Sequence, residues 1–163
     1  MNIEANYHQN YKSLQKVVRI VDGDGIIVSN IFDNGLQEIR LLGIDAPEIK
    51  NCIKLKKDER ETHTAGQLLI EMGWLSLKYL INLVKINEVV TIETENIYSN
   101  DVYGRTLAYV YLSDGTCINQ KLIEEGFARP MSQYYCRELT KYQVLNMNAK
   151  NEKKGLYAIV DSF

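Results

Sequence analysis

The chain has 163 residues, 45% hydrophobic and 25% charged, with a formal charge of −2. That length gives one domain a core of its own and is short for two, so neither a disordered chain nor a disulfide scaffold fits. The negative balance argues against a protein that grips nucleic acid by bulk electrostatics, but it leaves room for an enzyme with a local cationic site.

Residues 1–15 are polar and aperiodic and read as a flexible N-terminal arm. They carry no apolar stretch behind a basic tip, so no secretory signal is present as written. The expectation is a cytoplasmic chain, or a secreted one whose leader has been removed. From Lys16 the pattern turns to strands: VVRIV (17–21), IIVSNIF (26–32) after a DGDG corner, and LQEIRLLGI (36–44) after Asp33-Asn34-Gly35. Asn-Gly between two apolar runs is a hairpin signal, because a tight turn needs positive φ angles.

Residues 45–60 are charged and poor in apolar side chains, which predicts a loop. A helix follows over 61–85, with Leu68, Leu69, Met72, Leu75, Leu80 and Leu83 mostly on one face and Thr62 or Thr64 placed to cap it. Gly66 and Gly73 weaken its propensity, so packing must hold it. The longest apolar run, 75–84, is interrupted by Lys78 and Asn82, and no membrane span is expected.

Residues 88–98 alternate as a strand, and 105–119 read as two strands around Asp114-Gly115. A short helix over 119–126 ends in a glycine, and a last helix runs from about Arg137 to Lys154, stopped by Gly155. The expected fold is mainly β with α: a five-stranded OB-type Greek-key barrel with about three helices, spanning 16–158 as a single domain and followed by a tail, 159–163. Cys52, Cys117 and Cys136 have no metal-type spacing and read as free or buried thiols. His8 and His63 have no identifiable partner.

Three clusters carry candidate chemistry. VDGDG (21–25) by itself reads as a turn, since Asp and Gly are favoured there for backbone reasons. An EF-hand register fails, because the sixth position from Asp22 is Ile27 instead of glycine. In IRLLGIDAPE (39–48), Arg40 lies in an apolar strand, where a charge must be paired or face a cleft. Pro47 stiffens the exit and presents Asp45 and Glu48 on a rigid corner. A structural ion pair between Arg40 and one of these acids is an equally open reading. In NDVYGRTLAYVYL (100–112), Arg105 opens a strand after a turn and would ordinarily be a solvated residue.

Together the clusters say more. Asp24 and Asp45, with a carbonyl and waters, suit a hard dication. Glu48 suits a base that orients water, and Arg40 and Arg105 suit charge stabilisation on phosphate oxygens. VDGDG, RLLGIDAPE and DVYGRTLAYVYLSDG, in this order, resemble the staphylococcal nuclease (thermonuclease) family from about Val17 to Tyr157, closing on KKGLY. The resemblance implies an OB-fold nuclease that binds Ca²⁺ and cleaves DNA and RNA to leave 3′-phosphate ends. By position it makes Asp24, Asp45 and the Ala46 carbonyl the calcium ligands, Glu48 the general base, Arg40 and Arg105 the catalytic arginines, and Tyr103 a phosphate contact.

Three departures stand out: Gly25 where the family usually has threonine, Val102 for a lysine, and Ser132 for a stacking aromatic, with Tyr134 left for the second aromatic position. Lys50, Lys54, Lys56 and Lys57 crowd the segment after Glu48, and Lys54, Lys56 and Lys57 are candidate phosphate contacts. The expected partner is DNA or RNA, without a membrane, and the expected state is a monomer. The alternative is a non-catalytic OB-type nucleic-acid-binding module, which would have little need of all five charged residues.

Overall fold

A computed structural model describes residues 10–95 and 99–163. Strands β1 (Tyr11–Asp22), β2 (Gly25–Asn30), β3 (Leu36–Leu41), β6 (Thr106–Tyr111) and β5 (Val89–Thr94) close a barrel in the order β1-β2-β3-β6-β5. All pairs are antiparallel except β3 with β6, where Ile39 faces Thr106. β1 is shared: Tyr11 to Lys16 pair with β5, and Gln15 to Asp22 pair with β2. Register shifts after Val17 and Ile20 let it bend between the two partners.

Val17, Ile26, Val28, Ile39, Leu41, Leu107 and Tyr109 fill the barrel, joined by Ile118 and Leu122 of α3 (Ile118–Glu124). Asn119 of α3 is fully buried and satisfied: its Nδ2 donates to Leu42 O and Ala108 O at 3.0 Å, and its Oδ1 accepts from Val110 N. A second cluster of Leu55, Leu69, Met72, Ala149, Leu156, Tyr157 and Phe163 sits between helices α1 (Ile53–Thr62), α2 (Gly66–Leu83) and α4 (Leu139–Asn151). β4 (Ile44–Asp45) pairs with β7 (Arg129–Pro130), setting Asp45 opposite Arg129.

The OB-type barrel follows the expectation, with four α-helices among the described residues where about three were expected. The extra one is α1, in the segment expected to be a loop. Its one buried apolar side chain is Leu55, so no amphipathic stripe announces it. Cys52 Sγ caps Leu55 N, and Lys54–Asp58 and Lys57–Glu61 pairs line its turns.

α2 starts at Gly66 without a threonine cap; Glu59 Oε1 accepts the Gly66 N–H at 2.7 Å instead. Its buried face includes Leu77, and Leu75 is 40% exposed. Residues 11–15, expected in the arm, form the start of β1: the ladder to β5 holds them although four of the five are exposed. Residues 1–9 of that arm, and 96–98 of the expected strand, lie outside the described residues.

The expected strand after Asp114 is a single bridge, Tyr111 to Cys117, before α3 begins. α4 stops at Asn151, and Gly155 opens a 3₁₀ turn (Gly155–Ala158). The tail is anchored, with Phe163 buried against Tyr157 at 4.9 Å between ring centroids.

Candidate active site

The DGDG corner joins β1 to β2 and presses on the β4 exit. A Cβ on Gly23 would lie 2.7 Å from the Ala46 Cβ, so only glycine lets the two loops touch. That contact brings Asp24 Oδ2 within 2.8 Å of the Ala46 N–H, which donates to it. Across the sheet, Gly25 pairs with Arg40.

Arg40 is 6% exposed and fully engaged. Its Nη1 donates to the Leu41 and Ile44 carbonyls, and its Nη2 lies 3.1 Å from Asp45 Oδ1 and 3.2 Å from Asp24 Oδ2. The structure therefore joins Asp24, Arg40 and Asp45 in one buried cluster. The ion pair open at the sequence level is present with Asp45, and Asp24 joins it as a second partner outside that expectation.

α1 adds a second cation. Lys54 Nζ lies 3.2 Å from Asp45 Oδ1, 3.3 Å from Glu48 Oε1, 3.2 Å from Asp58 Oδ2 and 3.4 Å from Ala46 O. Glu48 is held at this rim by the α2 approach: a Cβ on Gly73 would lie 2.5 Å from Glu48 O and 2.7 Å from Pro47 O. The glycine that weakens α2 is what lets it support the corner.

Arg129 and Asp58 were not among the expected site residues. Arg129 donates through Nε and Nη2 to Asp45 Oδ2 at 3.1 and 2.9 Å, and through Nη2 to Asp58 Oδ1 at 3.1 Å. The one signal that could have found it, an arginine inside the run FARPM, went unread, although the same logic singled out Arg40. Asp58 carried no such signal, because it lies among exposed charges on α1.

Protonation follows from these neighbours. Burial pushes Asp24 up to about 7, with Arg40 opposing and Asp22 and Asp45 adding to the rise. Burial also acts to raise Asp45, but Lys54, Arg40 and Arg129 together outweigh it and hold the carboxyl below its ordinary value. Burial disfavours charge on Arg40 and Lys54 too, yet the surrounding carboxylates more than compensate and both stay cationic. The cluster thus holds one firmly ionised carboxylate, Asp45, and one poised near neutrality, Asp24.

Arg105 sits at the entry to β6, in parallel register beside Glu38 of β3 and so about 7 Å along the strand from Arg40. Asp101 Oδ2 accepts from its Nε at 2.7 Å, and the guanidinium stands 5.7 Å from the Tyr103 ring centre. Tyr103 is 83% exposed. Tyr134 uses its hydroxyl to accept the Val102 N–H at 3.2 Å, which braces the loop carrying Tyr103.

The lysine group divides. Lys54 points into the acids, whereas Lys56 is exposed and Lys57 pairs with Glu61 on the solvent side of α1. The structure does not bring those two to the cluster.

Residues 38–158 match the family described as staphylococcal nuclease homologue. The chain belongs to the staphylococcal nuclease family. It is 35% identical over 141 residues to the thermonuclease of Staphylococcus hyicus, covering 86% of this chain and 71% of the relative. An uncharacterized endonuclease of Escherichia coli O157:H7 is 31% identical over 146 residues, covering 90% and 78%. An uncharacterized protein of Methanocaldococcus jannaschii is 30% identical over 158 residues, covering 92% and 73%. Within this nuclease-family barrel, the corner, the strand arginine and the α1 lysine meet at one rim, where carboxylates, a carbonyl, an ammonium and a guanidinium lie together.

Proposed function

We propose that this protein is a divalent-metal-dependent phosphodiesterase that hydrolyses DNA and RNA, with Ca²⁺ as its metal and 3′-phosphate ends as its products. One observation carries this reading: Asp24, Asp45, Arg40 and Glu48 meet at a single rim in a chain of the nuclease family, with two carboxylates sharing one guanidinium at 3.1 and 3.2 Å. The names thermonuclease and endonuclease among its relatives support the same direction.

The donor chemistry fits a hard dication. Asp24, Asp45 and the Ala46 carbonyl offer oxygen only, with no thiolate or imidazole among the described residues beside them, which suits Ca²⁺ better than Zn²⁺. No three acidic, histidine or cysteine side chains among the described residues form a cage by themselves, so the carbonyl and waters would complete the set. When bound, the ion would supply charge stabilisation at a phosphate oxygen.

The side chains would divide the remaining work. Glu48, at the rim with its side chain 25% exposed, can reach solvent and orient a water for in-line attack, taking up its proton. Arg40 is fixed from four directions and presents positive charge without reorganisation as negative charge gathers on the phosphoryl oxygens. Arg105 has guanidinium edges to offer a second oxygen, and Asp101 holds it in place. Tyr103 is exposed beside it to receive a neighbouring phosphate.

The test is cleavage of heat-denatured DNA and of RNA by purified protein in Ca²⁺ and in EGTA, with end-group analysis of the products. Cleavage in Ca²⁺ alone with 3′-phosphate ends is expected. Retention of single-stranded DNA without any calcium-dependent cleavage would establish a binding module instead.

A further inference from the structure

Lys54 breaks a local rule. It lies in the first turn of α1, where the positive end of the helix dipole disfavours a cation, and the turn contains no acidic residue to offset it. Its side chain is nevertheless drawn inward against four oxygens, those of Asp45, Ala46, Glu48 and Asp58, at 3.2–3.4 Å. Three of those four are the groups assigned above to the metal and to the attacking water. An ammonium with three N–H donors surrounded by four hard oxygens is chemically a monovalent cation seated in a cation site.

We propose that the Lys54 ammonium is an internal counter-ion that competes with the divalent metal for the Asp45 and Ala46 oxygens, so that metal entry and Lys54 displacement are one coupled event. The inference rests on the metal-dependent reading above. In the metal-free protein Lys54 keeps three carboxylates, Asp45, Glu48 and Asp58, from repelling one another. A dication brings more charge to the same oxygens and raises the local potential against the ammonium, which retreats towards Asp58, its partner one helical turn away. Affinity for the metal is thereby set lower than the carboxylates alone would give. Lysine suits this role better than arginine, because its point charge on a flexible stem can leave without breaking a planar fork.

The test is calorimetric titration of Ca²⁺ into metal-stripped wild type, Lys54→Met and Lys57→Met. Both variants remove one positive charge from α1, but only Lys54 touches the site. Lys54→Met is expected to bind Ca²⁺ at least about tenfold more tightly, about 1.4 kcal/mol, and Lys57→Met within about threefold of wild type. Equal or weaker binding by Lys54→Met, or the same gain in Lys57→Met, overturns the proposal.

Should Lys54→Met lose its native circular dichroism, the Lys54 side-chain resonances of the wild-type protein give the answer directly. They should shift in step with calcium saturation; their indifference to bound calcium refutes the competition. Failure of all three proteins to bind millimolar Ca²⁺ removes the metal-dependent function itself and this inference with it. Calcium binding that ignores Lys54 removes the inference alone.

Discussion

Asp24 and Arg40 show how function and stability pull against each other within a few side chains. Burial raises Asp24 to about 7 from an ordinary value of 3.8, so the folded state binds its proton more tightly than the unfolded chain does. Its contribution is therefore fully present below about pH 4 and is lost as the pH rises through about 7. Asp24→Asn keeps the shape without the charge. In EGTA it should be more stable than wild type by at least about 1 kcal/mol at pH 8, with a smaller gain at pH 5, while losing calcium-dependent cleavage. Urea denaturation at both pH values checks the sign; a variant less stable at pH 8 than wild type contradicts it.

The two arginines should part company under the same treatment. Arg40→Gly strands two buried carboxylates and two carbonyls and should cost about 3–5 kcal/mol of stability as well as activity. Arg105→Gly, removing a part-exposed side chain, should cost about 1 kcal/mol or less while lowering the cleavage rate by orders of magnitude. Equal destabilisation of the two variants would show that Arg105 is structural.

Helix α1 is the element on which the site depends and which the sequence hid. Two of its contacts reach the acids, Lys54 to Asp45 and to Glu48, and a third joins Asp58 to Arg129. The helix buries little apolar surface of its own beyond Leu55, so its docking is electrostatic to an unusual degree. Arg129→Gln removes the two bonds to Asp45 Oδ2 and the bond to Asp58 Oδ1. Amide hydrogen exchange over residues 53–62 should then accelerate at least tenfold, with β2, β3 and β6 unchanged. Unaltered protection of α1 would mean that Arg129 does not anchor it.

The strands and α2 were legible because alternation and helical periodicity report burial directly, as at 26–28 and 69–80. α1 was not legible, because a helix held by Lys54, Asp58 and a distant Arg129 leaves no periodic apolar trace. The short β4–β7 pair was hidden for a related reason: two residues a side, 84 positions apart, leave no pattern to read.

At the scale of the molecule, the barrel serves to bring three distant segments of chain to one rim. The β1–β2 corner supplies Asp24, the β3 exit supplies Arg40, Asp45 and Glu48, and the β6 entry supplies Arg105, so the motifs could be read singly but their meeting required the closed sheet. The family membership and the motif residues were visible in the sequence, whereas the second ring of charges, Arg129 and Asp58, emerged only once the chain had folded. No helix among the described residues is long and apolar enough to cross a membrane.

The most direct test of the whole account is the initial rate of denatured-DNA cleavage by wild type and Glu48→Ser, each in saturating Ca²⁺ and in EGTA, with circular dichroism recorded alongside. Wild type is expected to cleave fast in Ca²⁺ only, and Glu48→Ser to lose at least about a hundredfold in rate with an unchanged fold. Equal rates for the two proteins in Ca²⁺, or cleavage by wild type that persists in EGTA, would contradict it.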